Sequence, residues 1–213
     1  MDKQQETQNT WNNIAAIYND KFLDLPLYND TYDFICEAIT RQNAKILDVG
    51  CGPGNITKYL LHKRPDLDVL GIDLAPKMIE FARKNNPTAR FKVMDSRDIH
   101  LLDSKFDAIV VGFCLPYLSP EEAIAFIKSA YGQLNDQGLL YLSFVEGDPA
   151  QSDFKVGSGG RVYFYYHLLE ELKLNLQHAH FSQLALFKVA YKVSESSSDV
   201  HTILILRKDG VQL

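Results

Sequence analysis

The chain has 213 residues, 46% of them hydrophobic and 23% charged. That is enough apolar side chain to offset the entropy of ordering, so the sequence reads as one globular domain over 1–213 rather than as a disordered segment. Lys and Arg number 22 against 27 Asp and Glu, a net charge of −5. This argues against a nucleic-acid binder working through a basic face, since neutralising phosphates takes clustered cations.

The longest apolar stretch, Ala108 to Leu115, is too short to cross a bilayer, and the polar first ten residues hold no signal-peptide core. No membrane association is expected. The cysteines, Cys36, Cys51 and Cys114, are odd in number and widely spaced. They build neither a disulfide framework nor a zinc cluster, and they suit a reducing, cytoplasmic compartment.

In chain order, the spacing of Trp11, Ile14, Ala15 and Tyr18 predicts a helix over 9–22. A second covers 29–40, and the two make an N-terminal helical cap over 1–43. The apolar run Ala44 to Val49, ending in glycines, predicts a buried parallel strand. A helix follows from Asn55 to Arg64, stopped by Pro65. Then come a strand over 68–72, a helix from Pro76 to Lys84 with proline at its start, and strands over 90–94 and 106–112. Ser119-Pro120-Glu121-Glu122 is a capping box opening a helix to about Leu134. A strand over 138–145 leads into the polar, glycine-bearing stretch 146–164, which reads as a mobile flap. A helix over 166–176 carries an apolar face of Leu168, Leu169, Leu172 and Leu176. Two long strands, 180–192 and 200–207, finish the chain as a hairpin around the polar tract 194–199. This alternation predicts an α/β fold: an open, doubly wound, mostly parallel sheet covered on both faces, with an antiparallel edge.

The informative segment is Leu47-Asp48-Val49-Gly50-Cys51-Gly52-Pro53-Gly54. Glycines after a first strand let a ligand approach backbone amides at a helix N-terminus, the nucleotide site of a doubly wound sheet. Asp73 ends the second strand 19 residues beyond Gly54, near the ~20 expected of a carboxylate that grips ribose hydroxyls. Dinucleotide sites carry G-x-G-x-x-G; here the spacing is G-x-G-x-G, and Asp48 precedes the loop. An anion there repels a pyrophosphate and suits a ligand whose near end carries an ammonium and a sulfonium, as S-adenosylmethionine does. A glycine-rich turn with no ligand is the bland alternative.

On these residues the sequence resembles the class I S-adenosylmethionine-dependent methyltransferases, specifically the small-molecule type. Ile46 to Gly54 is similar to that family's first motif and Gly71 to Met78 to its second-strand motif. Asp95, Phe106-Asp107-Ala108-Ile109 and Leu134 to Leu140 also fit. The resemblance covers about 11–177. It implies a Rossmann-like sheet of seven strands, order 3-2-1-4-5-7-6, with strand 7 antiparallel and extra N-terminal helices. It also implies S-adenosyl-L-methionine as cofactor and a small-molecule acceptor.

By the resemblance, the loop of Asp48, Gly50, Cys51 and Gly52 holds the methionine end of the cofactor. Asp73 takes the ribose, with Leu74 and Met78 against the adenine. Asp95 accepts from the adenine amino group beside the Ser96 amide. Phe113 lies near the methionine part, and Tyr18 closes over the cofactor. Leu74 and Met78 are equally suited to a plain core, and Asp95 to capping the next helix. Tyr117 leaves the fourth strand at its carboxyl end, where an acceptor sits. Tyr165, Tyr166 and His167 follow the flap and are candidates to position a hydroxyl or amine, with His167 as a base; tyrosines that only pack are the alternative. Where related enzymes have glycine-phenylalanine, this chain has His180-Phe181.

The reaction implied is an in-line displacement, without a metal and without an obligatory base, by a monomer or weak homodimer. Two rivals remain: a non-catalytic S-adenosylmethionine-binding module, and a nicotinamide oxidoreductase sharing only the fold. A protein acceptor is a further alternative.

Overall fold

Apolar runs alternating with amphipathic helices produce one seven-stranded sheet in the computed structural model, which describes residues 2–157, 159–193 and 198–210. In chain order the elements are α1 (Lys3–Phe22), α2 (Asn29–Ala38), β1 (Lys45–Val49), α3 (Asn55–Lys63), β2 (Asp68–Asp73), α4 (Pro76–Asn85), β3 (Arg90–Val93) and β4 (Phe106–Val111). They continue with α5 (Pro120–Gln133), β5 (Leu134–Val145), β6 (Asp153–Gly157), β7 (Gly160–Phe164), α6 (Leu169–His178), β8 (Phe181–Lys192) and β9 (Ser198–Lys208).

The sheet runs β3-β2-β1-β4-β5-β9-β8. Strands β1 to β5 are parallel, and β9 is antiparallel to both β5 and β8. With β8 and β9 counted as sixth and seventh strands, this is the expected order.

Side chains alternate across β1. Leu47 and Val49 face a core that includes Ile109, Leu140, Leu142 and, from α5 and α6, Phe126, Ile127, Leu172 and Leu176. Ile46 faces the other layer, with Val69, Val110, Tyr141, Ile35 of α2 and Leu60 of α3. Each large side chain so buried contributes roughly 1.5–3 kcal/mol. The two layers therefore fix the carboxyl ends of the strands, where the site lies.

Three departures from the sequence expectations bear on the site. Helix α1 starts at Lys3 rather than residue 9. Its polar first turns are not free: Thr10 donates to the Arg161 carbonyl at 2.8 Å, Thr7 Oγ1 accepts from the Tyr163 amide at 3.0 Å, and Glu6 pairs with Arg161. The stretch 146–164 is not a plain loop, since β6 and β7 pair there as an antiparallel hairpin. Helix α6 begins at Leu169, not 166, because His167 is held in extended backbone beside Glu146 at the end of β5. The chain does form the terminal hairpin, with Lys192 opposite Ser198; residues 194–197 of the tract expected to join its strands lie outside the described residues.

Candidate active site

Three glycines after β1 take positive φ: Gly50 at 66°, Gly52 at 52° and Gly54 at 81°. Other residues adopt this left-handed backbone at a cost of about 1–2 kcal/mol. A Cβ at Gly50 would stand 2.9 Å from the Cβ of Cys114, and one at Gly54 2.4 Å from Nδ2 of Asn86. The loop is thus wedged between the turn after β4 and the end of α4. Gly50 and Gly52 line a cavity of about 570 Å³ at the carboxyl ends of the central strands, where open α/β sheets bind ligands.

Asp73 closes the same loop from β2. One carboxylate oxygen accepts from the Gly52 amide at 2.9 Å and the other from the Ala75 amide at 2.8 Å. Burial holds this carboxyl above its ordinary range, against the pull of those two amides. Each oxygen retains a lone pair for a hydroxyl.

Asp48 lies fully buried beneath the loop. Its Oδ2 accepts from Thr57 Oγ1 at 2.6 Å, while Oδ1 has no partner among the described residues. Burial pushes the carboxyl up to about 6, opposed by the Thr57 donors and aided by the nearby charge of Asp73. A buried carboxylate oxygen without a donor is costly, and a cation on the other side of the glycine loop relieves that cost. The observation fits the ammonium and sulfonium end of S-adenosylmethionine.

Elsewhere in the cavity, Leu74, Met78, Met94, Asp95 and Ser96 share the wall with Gln8 and Trp11 of α1. Asp95 both lines the cavity and caps the turn that follows, accepting from the Arg97 amide at 2.9 Å. The Arg97 guanidinium grips the same carboxylate at 3.0 Å and reaches Glu122 at 2.7 Å, which ties the α5 capping box to the site. Gln4 donates to Asp95 at 2.6 Å and Gln8 to the Leu74 carbonyl at 2.9 Å.

Among the described residues the cavity wall carries five carboxylates, Asp2, Asp73, Asp95, Glu122 and Asp199, and two basic side chains. Arg97 is held by Asp95 and Glu122, and Lys3 sits 3.6 Å above the Tyr163 ring. The net field favours a cationic ligand.

The structure brings Tyr18, Gly50, Gly52, Asp73, Leu74, Met78, Asp95, Ser96, Phe113, Tyr117 and Tyr165 to one cavity. Four expected residues do not line it. Asp48 acts from beneath the loop. The Cys51 side chain turns away to pack with Ile79, Ala82 and Phe91. Tyr166 packs against Phe164 and takes Lys155 over its ring. His167 is buried at 3% exposure, and its Nε2 donates to the Leu115 carbonyl at 3.0 Å. It staples the segment after β7 to the turn after β4, and burial lowers its pKa. So placed, its ring does not line the cavity.

Sequence reasoning missed the far wall, formed by Phe22, Leu25, Tyr28, Tyr32, Tyr191 and His201. These come from segments far apart in the chain. The available signal was His201, which shares a face of its strand with the buried Ile203 and Ile205.

Among the described residues, no helix is long and apolar enough to cross a membrane, and no group of three or more His, Cys, Asp or Glu is placed to hold a metal ion.

Residues 46–138 match the model of a methyltransferase domain. The chain is 33% identical over 117 residues to the 235L protein of Invertebrate iridescent virus 6, covering 55% of this chain and 42% of that one. It is 27% identical over 137 residues to the carboxy-S-adenosyl-L-methionine synthase of Campylobacter hominis, covering 62% and 58%. The chain thus spans about half the length of these curated relatives. In fold it is similar to the magnesium protoporphyrin IX methyltransferase of Synechocystis PCC 6803, solved with bound S-adenosylmethionine. The TM-score is 0.74 at 16% identity, over 98% of each chain. In sheet order, glycine loop and the matched domain model, the chain is similar to the class I S-adenosylmethionine-dependent methyltransferases.

Proposed function

We propose that this chain moves the methyl group of S-adenosylmethionine to a small-molecule acceptor. The observation that carries the proposal is a single cavity with two unlike halves. One half has the glycine cradle, Asp73 and a negative wall; the other is an aromatic chamber. The loop glycines and Asp48 would hold the methionine end, Asp73 the ribose, and Leu74, Met78 and Asp95 the adenine. The bound cofactor supplies a methyl group already activated by the positive charge on sulfur. The chain's own residues then align the acceptor and keep water out, an arrangement that at its best is worth ~7–11 kcal/mol.

A cofactor bearing an additional carboxylate is disfavoured. It would bring a further anion to a wall of five carboxylates whose two basic groups are already engaged. A cytoplasmic setting belongs to the same proposal, supported by three free cysteines, and so does a monomer or weak homodimer.

Calorimetry with S-adenosylhomocysteine and NAD side by side, followed by labelled methyl transfer to a metabolite panel, tests it. The expected result is binding of the first, not the second, and transfer to at least one small acceptor. Asp73→Ala should weaken the first by ~1–3 kcal/mol, from lost charged hydrogen bonds to the ribose, with unchanged folding by circular dichroism. Preference for NAD, or tight binding with no transfer to any acceptor, overturns the proposal.

A further inference from the structure

We propose that the far half of the cavity takes a planar, uncharged aromatic acceptor bearing an O–H or N–H group, and that His201 receives its proton; this rests on the methyl-transfer reading above. The walls give the shape. Tyr18 of α1, Tyr28 just before α2, Phe113 after β4, Tyr191 of β8 and His201 of β9 meet there. The Tyr191 and His201 rings lie 8° from parallel with centroids 4.9 Å apart, and Tyr28 lies 10° from the His201 plane. Phe113 closes on His201 at 4.7 Å. Its backbone is held at a φ of 55°, rare for a non-glycine residue, with its amide donating to Ser143 at 2.8 Å. Flat aromatic walls in fixed orientation suit a flat ring, which gains from offset stacking and edge contacts.

Charge narrows the class. Asp199 is the carboxylate at this end, and neither basic group of the cavity wall, Lys3 or Arg97, lies here. An anionic acceptor finds no counter-ion. An ammonium has no lone pair to offer the methyl carbon until it loses a proton.

His201 is 8% exposed, and its Nδ1 is 2.7 Å from Tyr28 Oη. Among the described residues no hydrogen bond occupies its Nε2. Burial lowers its pKa, opposed by Asp199. The other titratable groups packed around it are Tyr28 and Tyr191, with Tyr18 beyond. The Glu146–Lys188 pair flanks Thr202, the next residue along β9. Burial raises Tyr18 to about 12 and Tyr28 higher, so both stay neutral. The imidazole is therefore neutral at pH 7 and able to accept a proton. With Nδ1–H donating to Tyr28, Nε2 carries the lone pair. The acceptor's X–H bond breaks toward Nε2 as its electron pair joins the methyl carbon. The carbon–sulfur pair stays on sulfur. The products are methylated acceptor, neutral thioether and an imidazolium that passes its proton to water.

The test titrates 7-hydroxycoumarin, read by its own fluorescence, into the S-adenosylhomocysteine complex of the full chain. Benzoate, cyclohexanol and benzylamine are the anionic, non-planar and cationic controls. The coumarin is expected to bind at least tenfold more tightly than any control. Tyr191→Ala should weaken it by about tenfold while moving S-adenosylhomocysteine affinity less than twofold. Coumarin affinity should fall as pH drops below the ordinary histidine range in the unaltered protein but not in His201→Gln. In turnover with any acceptor of this class, His201→Gln should lower kcat by about a hundredfold, change KM little and remove the acid limb of kcat. Tyr28→Phe should shift that limb without removing it. No coumarin binding, a control that binds as well, or His201→Gln with kcat and acid limb intact overturns the assignment. Failure of the unaltered protein to bind S-adenosylhomocysteine overturns the methyl-transfer reading beneath it.

Discussion

Asp48 has one carboxylate oxygen on Thr57 and the other on nothing among the described residues. Its pKa of about 6 in the fold stands above the ordinary aspartate value because burial penalises the charge. Between about pH 4 and pH 6 the native state therefore binds a proton that the unfolded chain does not. The group's contribution to stability falls as pH rises through that window and is level above it. A cation bound across the loop favours the ionised form and lowers the pKa. Binding of S-adenosylhomocysteine, whose amino group supplies such a charge, should thus release roughly 0.5–0.8 proton at pH 5.5 and almost none at pH 8. Calorimetry in two buffers of different ionisation enthalpy measures that number, and Asp48→Asn should abolish it. Buffer-independent heats at pH 5.5 would mean that Asp48 does not sense the ligand.

Among the elements, β1, the glycine loop, α3 and β2 were legible because each depends on neighbours in sequence. The apolar run of β1, the three glycines that need positive φ, and Asp73 at the end of β2 are local signals. The β6–β7 hairpin was not, since its residues are mostly exposed and its docking rests on Thr7 and Thr10 of a distant helix. The Tyr28, Tyr191 and His201 chamber was also hidden, because only tertiary packing joins those three segments. His180 is a case where a departure from the family pattern has a physical cost. It follows α6 with a φ of 59°, its amide donating to the Gln177 carbonyl at 2.9 Å. The turn demands a left-handed residue, which glycine adopts freely and histidine does not. His180→Gly should therefore raise stability, by about 0.5–1 kcal/mol after glycine's larger unfolded-state entropy is set against the relieved strain. Urea denaturation measures it, and a loss of stability would show that the His180 ring, 6.3 Å from Tyr131, contributes more than the strain removes.

Across the whole molecule, the two apolar layers of the sheet stand without α1, whose buried residues are Thr7, Thr10 and Ala15. Helix α1 is held by a small apolar cluster, in which Trp11, Ala15 and Tyr18 meet Ala75 and Met78, and by polar ties: to the hairpin through Thr7 and Thr10, to β2's end through Gln8, to Asp95 through Gln4, and to α4 through Asn12 and the Lys77 amide at 3.0 Å. Contacts of that kind, at a partly exposed surface, mark the low-stability end of a fold, able to open while the sheet stays intact. Yet Gln4, Thr7, Gln8, Trp11 and Tyr18 all line the cavity, so a ligand there can leave only at the expense of contacts with α1. Opening of α1 and ligand occupancy are then mutually exclusive. At a hundredfold excess over Kd, S-adenosylhomocysteine should slow α1 amide exchange by about a hundredfold, or ~2.7 kcal/mol. Helix α6 has none of its residues on the cavity wall, so its local fraying should continue at the unliganded rate. Exchange in α1 that ignores the ligand would mean the cofactor half is filled and emptied without moving the helix, and the sheet's carboxyl edge alone would then account for binding.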